Sequence, residues 1–565
     1  MTKRLTASIL AIPTALSVAV ALTAAPAGAN GGYGPKVDAR LAAQLAQAKG
    51  GDRIAVIVLS RDGSAGDAQP AKEPPKPPKT EPKKDEKKKN PKPPETNESS
   101  GGSSGQTSGP PQQSGGGPSR PRIALGFMNG QALEVAPADV PKLAADPDVV
   151  YVAADVPVAP LGRSSDGFSA YAGLAGQYAA LDGALAARKA GLDGRGVGIA
   201  VVDSGVARVS DFAGRLHQIA LPGQKWPVTD AYGHGTLVAG IAAGRGRITG
   251  IAPRAKIYAI NIDRPGGPRS SDAIEAIGWI LKNASRLNIR VANLSIGETV
   301  PSSYRQSLLD LGVERLWAAG VFVVVSAGNR GAGQVDFAPA NDPLAVAVGA
   351  TDTHGTLDAR DDSPANFSSS GKTFDGFAKP NLLAPGRLVA GVLAPQTALA
   401  QLAPARNVVA PGYAAISGTS FAAPQVAGAA AVAFQKHPSW SPDQVKWLLV
   451  RHAVPLAHDG GRALRLGFLA SYRGVPSRAN QGVPALVCAP GTQCVGDGTV
   501  ASRWNSSGWS QQSWQSGAWA STSWNSTSWN STSWNSTSWN STSWNSTSWN
   551  STSWNSTSWN AFSWE

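Results

Sequence analysis

The sequence predicts an α/β fold, a mainly parallel sheet with helices on both faces, preceded by a small α+β unit and followed by a low-complexity tryptophan-repeat tail. Three observations predict it. From Leu192 to about Arg473, apolar strand-like runs alternate with helical spacing, the pattern of parallel strands joined by crossover helices. Upstream, a long stretch of Pro, Lys, Glu, Gly and Ser interrupts a short helix-and-strand pattern. Downstream, Trp recurs at every fifth residue from Trp504 to Trp564, mostly as Trp-Asn-Ser-Thr-Ser.

Taken in order, the chain begins with Lys3 and Arg4, an apolar stretch from Leu5 to Ala25, and small residues ending Ala27-Gly28-Ala29. That is the order of a secretory signal, residues 1–29, so the product is expected to be secreted. No later segment approaches the roughly 20 uninterrupted apolar residues that a membrane span needs. Residues 30–165 carry helical spacing at Val37–Ala48, a strand at Arg53–Ser60, strands at Ile123–Met128 and Ala132–Val135, a helix at Ala138–Ala144 and a strand at Val149–Ala153. Between them, at about 61–120, lies the linker, with nine Lys and six acidic residues from Lys72 to Glu98. Such a composition cannot bury enough apolar area to offset its chain entropy.

Residues 175–475 hold candidate strands at Gly198–Val202, Lys256–Ile262, Val291–Ile296, Val321–Val325 and Ala345–Val348, with helices at Asp272–Asn283 and Ser303–Ala319. A linker at 476–500 contains Cys488 and Cys494, an even pair that suits one small-loop disulfide in an exported chain and falls short of a zinc ligand set. The tail, 501–565, fits neither a helix face nor a strand face at its period of five. The formal charge is +13, but between Tyr171 and Asn480 the 30 Lys plus Arg and 20 Asp plus Glu are spread along the chain, a solvated basic surface rather than a nucleic-acid footprint.

Hydrolysis of an amide at neutral pH needs an activated nucleophile, a base, a group that orients the base, and donors for the oxyanion. Three islands supply those parts. An apolar strand, Gly198-Ile199-Ala200-Val201-Val202, ends in Asp203. Gly233-His234-Gly235-Thr236 opens a helix of small residues, with the flanking glycines removing bulk around a base that must approach substrate. Gly418-Thr419-Ser420-Phe421-Ala422-Ala423-Pro424 leads into an Ala-rich helix whose dipole favours negative charge beside Ser420, with Pro424 expected in the first turn.

Together these islands resemble the subtilase family, in the chain order Asp, His, Ser. The resemblance covers about Leu185 to Tyr472 and implies a subtilisin-like fold and a serine endopeptidase acting on proteins or peptides. Asp203 would orient the imidazole, His234 act as general base and then acid, Ser420 attack the carbonyl, and Asn329, in Ser326-Ala327-Gly328-Asn329, donate to the oxyanion. Ser295, Ile296 and Gly297 resemble the edge strand that pairs with substrate, and Phe337 a residue near the base of the pocket for the side chain before the cleaved bond. Residues Leu143 to Val158 resemble the end of a subtilase propeptide, which implies a zymogen whose own propeptide is inhibitor and folding template. The chemistry needs no cofactor, and structural calcium held by loop carbonyls would leave no sequence trace. The alternative reading is a wall- or glycan-binding protein acting through its tryptophan tail, with the peptidase secondary.

Overall fold

The computed structural model describes residues 36–49, 51–60, 122–160, 178–358, 361–403, 407–456, 461–483 and 485–486. The expected signal sequence, the linker at about 61–120, the cysteine pair and the tryptophan repeat lie outside these residues.

A strand whose residues are apolar at every position must be covered on both faces, because successive side chains alternate. Ile54–Ser60 (β1) is such a strand and is buried throughout. It lies inside a four-stranded sheet with Ile123–Leu125 (β2), Gly130–Val135 (β3) and Val149–Ala154 (β4), in the order β2-β3-β1-β4. β1 runs antiparallel to both β3 and β4, so a strand from before the linker is hydrogen-bonded on each side to strands from after it. Val56 and Val58 face Leu41 and Leu45 of helix Ala39–Gln47 (α1) and Val140 of helix Val140–Ala145 (α2). Ile57 and Leu59 face the other way and join the large core of the rest of the molecule.

The expected strand Ile123–Met128 stops at Leu125. Gly126–Met128 winds into a 3₁₀ turn, and Asn129 at φ 51° closes the hairpin into β3. This turn sends Phe127 onto the neighbouring helices: a Cβ added to Gly278 or Gly312 would lie 3.0 or 3.8 Å from the Phe127 ring.

The second sheet is mainly parallel. Its order is Val454–Pro455, Arg462–Ala463, Leu382–Pro385, Val346–Asp352 (β12), Phe322–Ser326 (β11), Ile289–Leu294 (β9), Gly198–Asp203 (β6), Lys256–Asn261 (β8) and Leu216–Ile219 (β7). Two short helices, Tyr178–Leu181 (α3) and Ala184–Lys189 (α4), lead into it. Helices cover both faces. His234–Ala243 (α5) packs on Thr419–Lys436 (α9), and Ser270–Leu287 (α6) on Leu308–Ala318 (α7). Ala398–Leu402 (α8) and Pro442–Arg451 (α10) complete the helices used below.

Three sequence expectations change. The single strand expected at Val291–Ile296 is broken at Ser295, and Ile296–Glu298 (β10) leaves the sheet to pair antiparallel with Val158–Pro160 (β5). The helix expected at Ser303–Ala319 divides, because the Ser307 side chain accepts the Asp310 N–H and starts α7 afresh after a 3₁₀ turn. The packed unit also runs past residue 475: Asn480 accepts from the buried Lys446 ammonium at 2.9 Å and donates to Asp443 at 2.9 Å. Among the described residues, no helix is long and apolar enough to cross a membrane.

β1 and β2 flank β3 and run in the same direction, so the linker has to return about 10 Å along the strands and cross two strand spacings of about 4.8 Å. Deleting 73–114 leaves roughly 20 residues for that path, ample at about 3.3 Å each, and loop closure depends only weakly on length. The deletion variant is expected to be secreted, processed and thermally stable like the parent. Recovery of only unprocessed or degraded chain on gels of the culture medium would assign the linker a role of its own.

Candidate active site

The carboxyl ends of β6 and β9 and the amino ends of α5 and α9 converge, which is where an open α/β sheet leaves a crevice. Asp203 is the last residue of β6 and His234 the first of α5. Both are buried, and Asp203 Oδ1 lies 2.7 Å from His234 Nδ1 while also accepting the Ser204 N–H at 2.7 Å.

The glycines beside His234 serve a purpose different from the one expected. Gly233 sits at φ 106°, a conformation that a side chain would strain. A Cβ on Gly235 would lie 2.1 Å from the Gly205 carbonyl oxygen and 3.0 Å from Asp203 Cβ. Gly235 thus permits the close approach of helix to strand that sets the Asp203–His234 contact, and Gly233 packs on Thr397 and Leu399 at the start of α8.

Asp230 is a site residue that sequence reasoning missed. It is buried, and its two oxygens accept from Ser204 Oγ at 2.9 Å, the Gly233 N–H at 2.6 Å, and the Thr236 N–H and hydroxyl at 2.9 and 2.6 Å. It therefore satisfies the start of α5 and holds the turn that presents His234. The available signal was an Asp shortly before a helix start in Asp230-Ala231-Tyr232-Gly233-His234-Gly235-Thr236, a spacing that suits a cap. Burial raises the Asp230 carboxyl, against the lowering effect of these hydrogen bonds.

Ser420 is the second residue of α9, after Gly418. Pro424 lies inside this helix, not at its boundary as the sequence suggested. Having no N–H, Pro424 cannot donate to the carbonyl four residues back, which belongs to Ser420. That carbonyl accepts instead from Ser295 Oγ at 3.1 Å, while Ser420 Oγ donates to the Ser295 carbonyl at 3.2 Å. Asn293 Nδ2 donates to Ser295 Oγ at 2.9 Å and fixes that hydroxyl. Ser295 thus ties the helix that begins beside Ser420 to the strand that continues as β10.

Asn329 follows β11, and its amide oxygen accepts both the N–H and the hydroxyl of Thr419, at 2.9 and 3.0 Å. These two bonds hold the Asn329 amide beside the first turn of α9, whose N–H groups have no helical partner. His234 Nε2 has no hydrogen-bond partner among the described residues, and the Phe421 ring lies 5.4 Å from the imidazole. Phe337 precedes a cis Ala338–Pro339 bond and carries the Arg330 guanidinium 3.7 Å above its ring. Among the described residues, no group of three or more His, Cys, Asp or Glu side chains could hold a metal ion.

The cleft beside β10 is filled by the chain itself. Pro160 pairs with Ile296, Ala159 with Gly297 and Val158 with Glu298. On the other side, the Val158 N–H donates to Pro268 and the Ser270 N–H to Val156. β5 is therefore paired with β10 on one edge and held by main-chain hydrogen bonds to the segment before α6 on the other, as an extended bound peptide would be.

Comparison with known proteins gives a family. Residues 194–469 match Peptidase_S8, the subtilase family. The chain is 35% identical over 263 residues to serine protease AprX of Bacillus subtilis (strain 168), covering 44% of this chain and 59% of that protein, so it spans less than two thirds of that relative's length. It is 36% identical over 261 residues to subtilisin Savinase of Lederbergia lenta, covering 46% of this chain and 83% of that one. Among solved structures, fervidolysin from Fervidobacterium pennivorans, a keratinolytic enzyme related to subtilisin, aligns at a TM-score of 0.47 and 23% identity over 62% of this chain and 57% of its own.

Burial pulls the His234 imidazole down, but the charge and hydrogen bond of Asp203, with help from Asp230, leave it above the ordinary histidine value. His437 and His452 are pushed the other way by burial and neighbouring cations. Ring titration by NMR should therefore give His234 a midpoint above about 6.5, the free-histidine value, and Asp203→Asn should move it downward because only the smaller effect of Asp230 then opposes burial. An unchanged midpoint in Asp203→Asn would contradict the assignment of the shift to that carboxylate.

Proposed function

Because the chain belongs to the subtilase family, we propose that it is a secreted serine endopeptidase, made as a zymogen, which hydrolyses peptide bonds with Ser420, His234 and Asp203. The observation that carries the reading is the buried 2.7 Å contact of Asp203 with His234 Nδ1, which leaves Nε2 as the imidazole's free nitrogen next to the helix that begins at Ser420. Secretion rests on the signal-like residues 1–29.

Each step uses a group already described. Rotation of the Ser420 side chain away from the Ser295 carbonyl brings its hydroxyl to His234 Nε2, a contact that often tightens only with substrate bound. Nε2 takes the proton as Oγ forms a bond to the carbonyl carbon. The charge on the carbonyl oxygen is met by Asn329 Nδ2 and the Ser420 N–H, and Asp203 stabilises the imidazolium without taking its proton. The imidazolium then protonates the leaving nitrogen as the C–N bond breaks. Water, deprotonated by His234, then attacks the acyl-enzyme; the C–Oγ bond breaks, the imidazolium returns the proton to Ser420 Oγ, and the acid is released.

The first substrate is the chain's own junction. β5 occupies β10 as a substrate strand would and ends with Pro160 opposite Ile296, the neighbour of Ser295, whose carbonyl is 3.2 Å from Ser420 Oγ. We take the Leu161–Gly162 bond as the one cut, with residues 30–161 released as inhibitor and folding template. The unit is suited to inhibition because the face of its sheet that carries Ile57 and Leu59 joins the core of the catalytic unit.

Ser420→Ala should be secreted with the junction intact, since removing Oγ deletes the nucleophile but not the fold. Asn329→Ala should process slowly, by about 10²- to 10³-fold, because it removes one oxyanion donor. Mass spectrometry reads both: a new amino terminus at Gly162 in wild type, and none in Ser420→Ala. Clean processing of Ser420→Ala, with host peptidases excluded, would mean that another enzyme matures the chain.

A peptide-library digest reads the pocket. Phe337 and the cation lying on it should favour medium apolar residues such as Leu before the cleaved bond and disfavour Arg and Lys, because Arg330 repels a second cation. A digest dominated by Arg or Lys at that position would overturn the assignment.

A further inference from the structure

We infer that Glu298 is a specificity-determining residue of the cleft: it selects a cationic side chain four residues before the cleaved bond, and Arg40 masks it until the N-terminal unit leaves. The inference rests on the proposed function, since it needs a released unit and cleavage after Leu161.

Register sets the position. Val158 is the fourth residue before the Leu161–Gly162 bond, and it lies directly opposite Glu298. Opposite residues of an antiparallel pair project from the same face, with Cβ atoms about 5 Å apart. A peptide replacing β5 therefore places its fourth residue beside the Glu298 side chain.

The carboxylate is built to receive a guanidinium. Its Oε1 accepts from Ser270 Oγ at 2.7 Å, which fixes the group from the catalytic unit's own side. Its Oε2 accepts from Arg40 Nη1 at 2.6 Å, and Arg40 Nη2 donates to the Gln306 carbonyl at 3.4 Å. The second carboxylate on Arg40 is Asp38, at 3.0 Å from Nε, which belongs to the departing unit. When that unit leaves, Glu298 Oε2 and the Gln306 carbonyl remain as two acceptors with their cation removed. Arg330, the nearby cation of the catalytic unit, donates to the main-chain carbonyl of Glu298 at 3.2 Å and stacks on Phe337, so it does not take Arg40's place.

A carboxylate that is 1% exposed in the zymogen loses its charged partner on maturation, while Ser270 still holds its other oxygen. An arginine from substrate can restore both contacts, whereas lysine brings a point charge without the fork. A preference for Arg over Lys, and for both over neutral residues, follows.

The test uses the processed protein and internally quenched peptides of the form Xaa-Ala-Pro-Leu-Gly, copied from the junction, with Arg, Lys, Gln or Glu as Xaa. The expected order of kcat/KM is Arg, Lys, Gln, Glu, with Arg above Gln by roughly three- to tenfold. The ratio should shrink in about 0.5 M salt and approach one in Glu298→Gln. Equal rates for the Arg and Gln peptides in wild type would overturn the inference, as would an Arg preference that survives in Glu298→Gln. The wild-type ratio decides alone if that variant does not mature. Failure to cut any of the four peptides would sink the peptidase reading, and this inference with it.

Discussion

The contact of Asp203 with His234 constrains everything near it. A carboxylate and an imidazole held at 2.7 Å inside the protein require a helix start pressed against a strand end. That closeness excludes a side chain at position 235 and imposes a left-handed backbone at Gly233. It also needs Asp230 to satisfy the first turn of α5 from behind. The parallel sheet is what makes such a meeting reproducible, because β6 and α5 approach from opposite directions along one crevice.

A comparable constraint acts on Ser420. Pro424 breaks the hydrogen-bond ladder of α9 one turn after Ser420, and the freed carbonyl is taken by Ser295. Ser295 also separates β9 from β10, so one residue links the helix of Ser420 to the strand on which β5 lies. The N-terminal unit meets the rest of the molecule through the same region. Asp155 accepts the Ser271 N–H and hydroxyl at the start of α6, Phe127 packs at Gly278, and β5 lies on β10. The apolar outer face of β1 is what this docking covers, which is why a strand buried on both sides can belong to so small a sheet.

Much of this was legible in the sequence, for identifiable reasons. Parallel strands covered on both faces read as continuous apolar runs, so β6, β8 and β11 were located within a residue or two. The three polar islands stood out because each interrupts such a run. What stayed hidden depends on contacts distant in sequence. The break at Ser295 is set by Ser420, 125 residues away, and Arg40 meets Glu298 across 258 residues. Pro424 was taken for a boundary because Pro is usual in a first turn, whereas here a side-chain hydroxyl satisfies the carbonyl it leaves unpaired. Asp230 lay in plain view in front of His234, but a cap residue has no signature separating it from any other turn aspartate.

The central claim is that one hydroxyl in this chain is activated by a buried His–Asp pair. A fluorophosphonate forms a covalent bond only with such a hydroxyl, so mapping its adduct by peptide mass spectrometry measures activation at residue resolution. The account expects stoichiometric labelling of Ser420 in the processed protein and loss of that label in His234→Ala. Labelling at another residue, or undiminished labelling of Ser420 without His234, would contradict it.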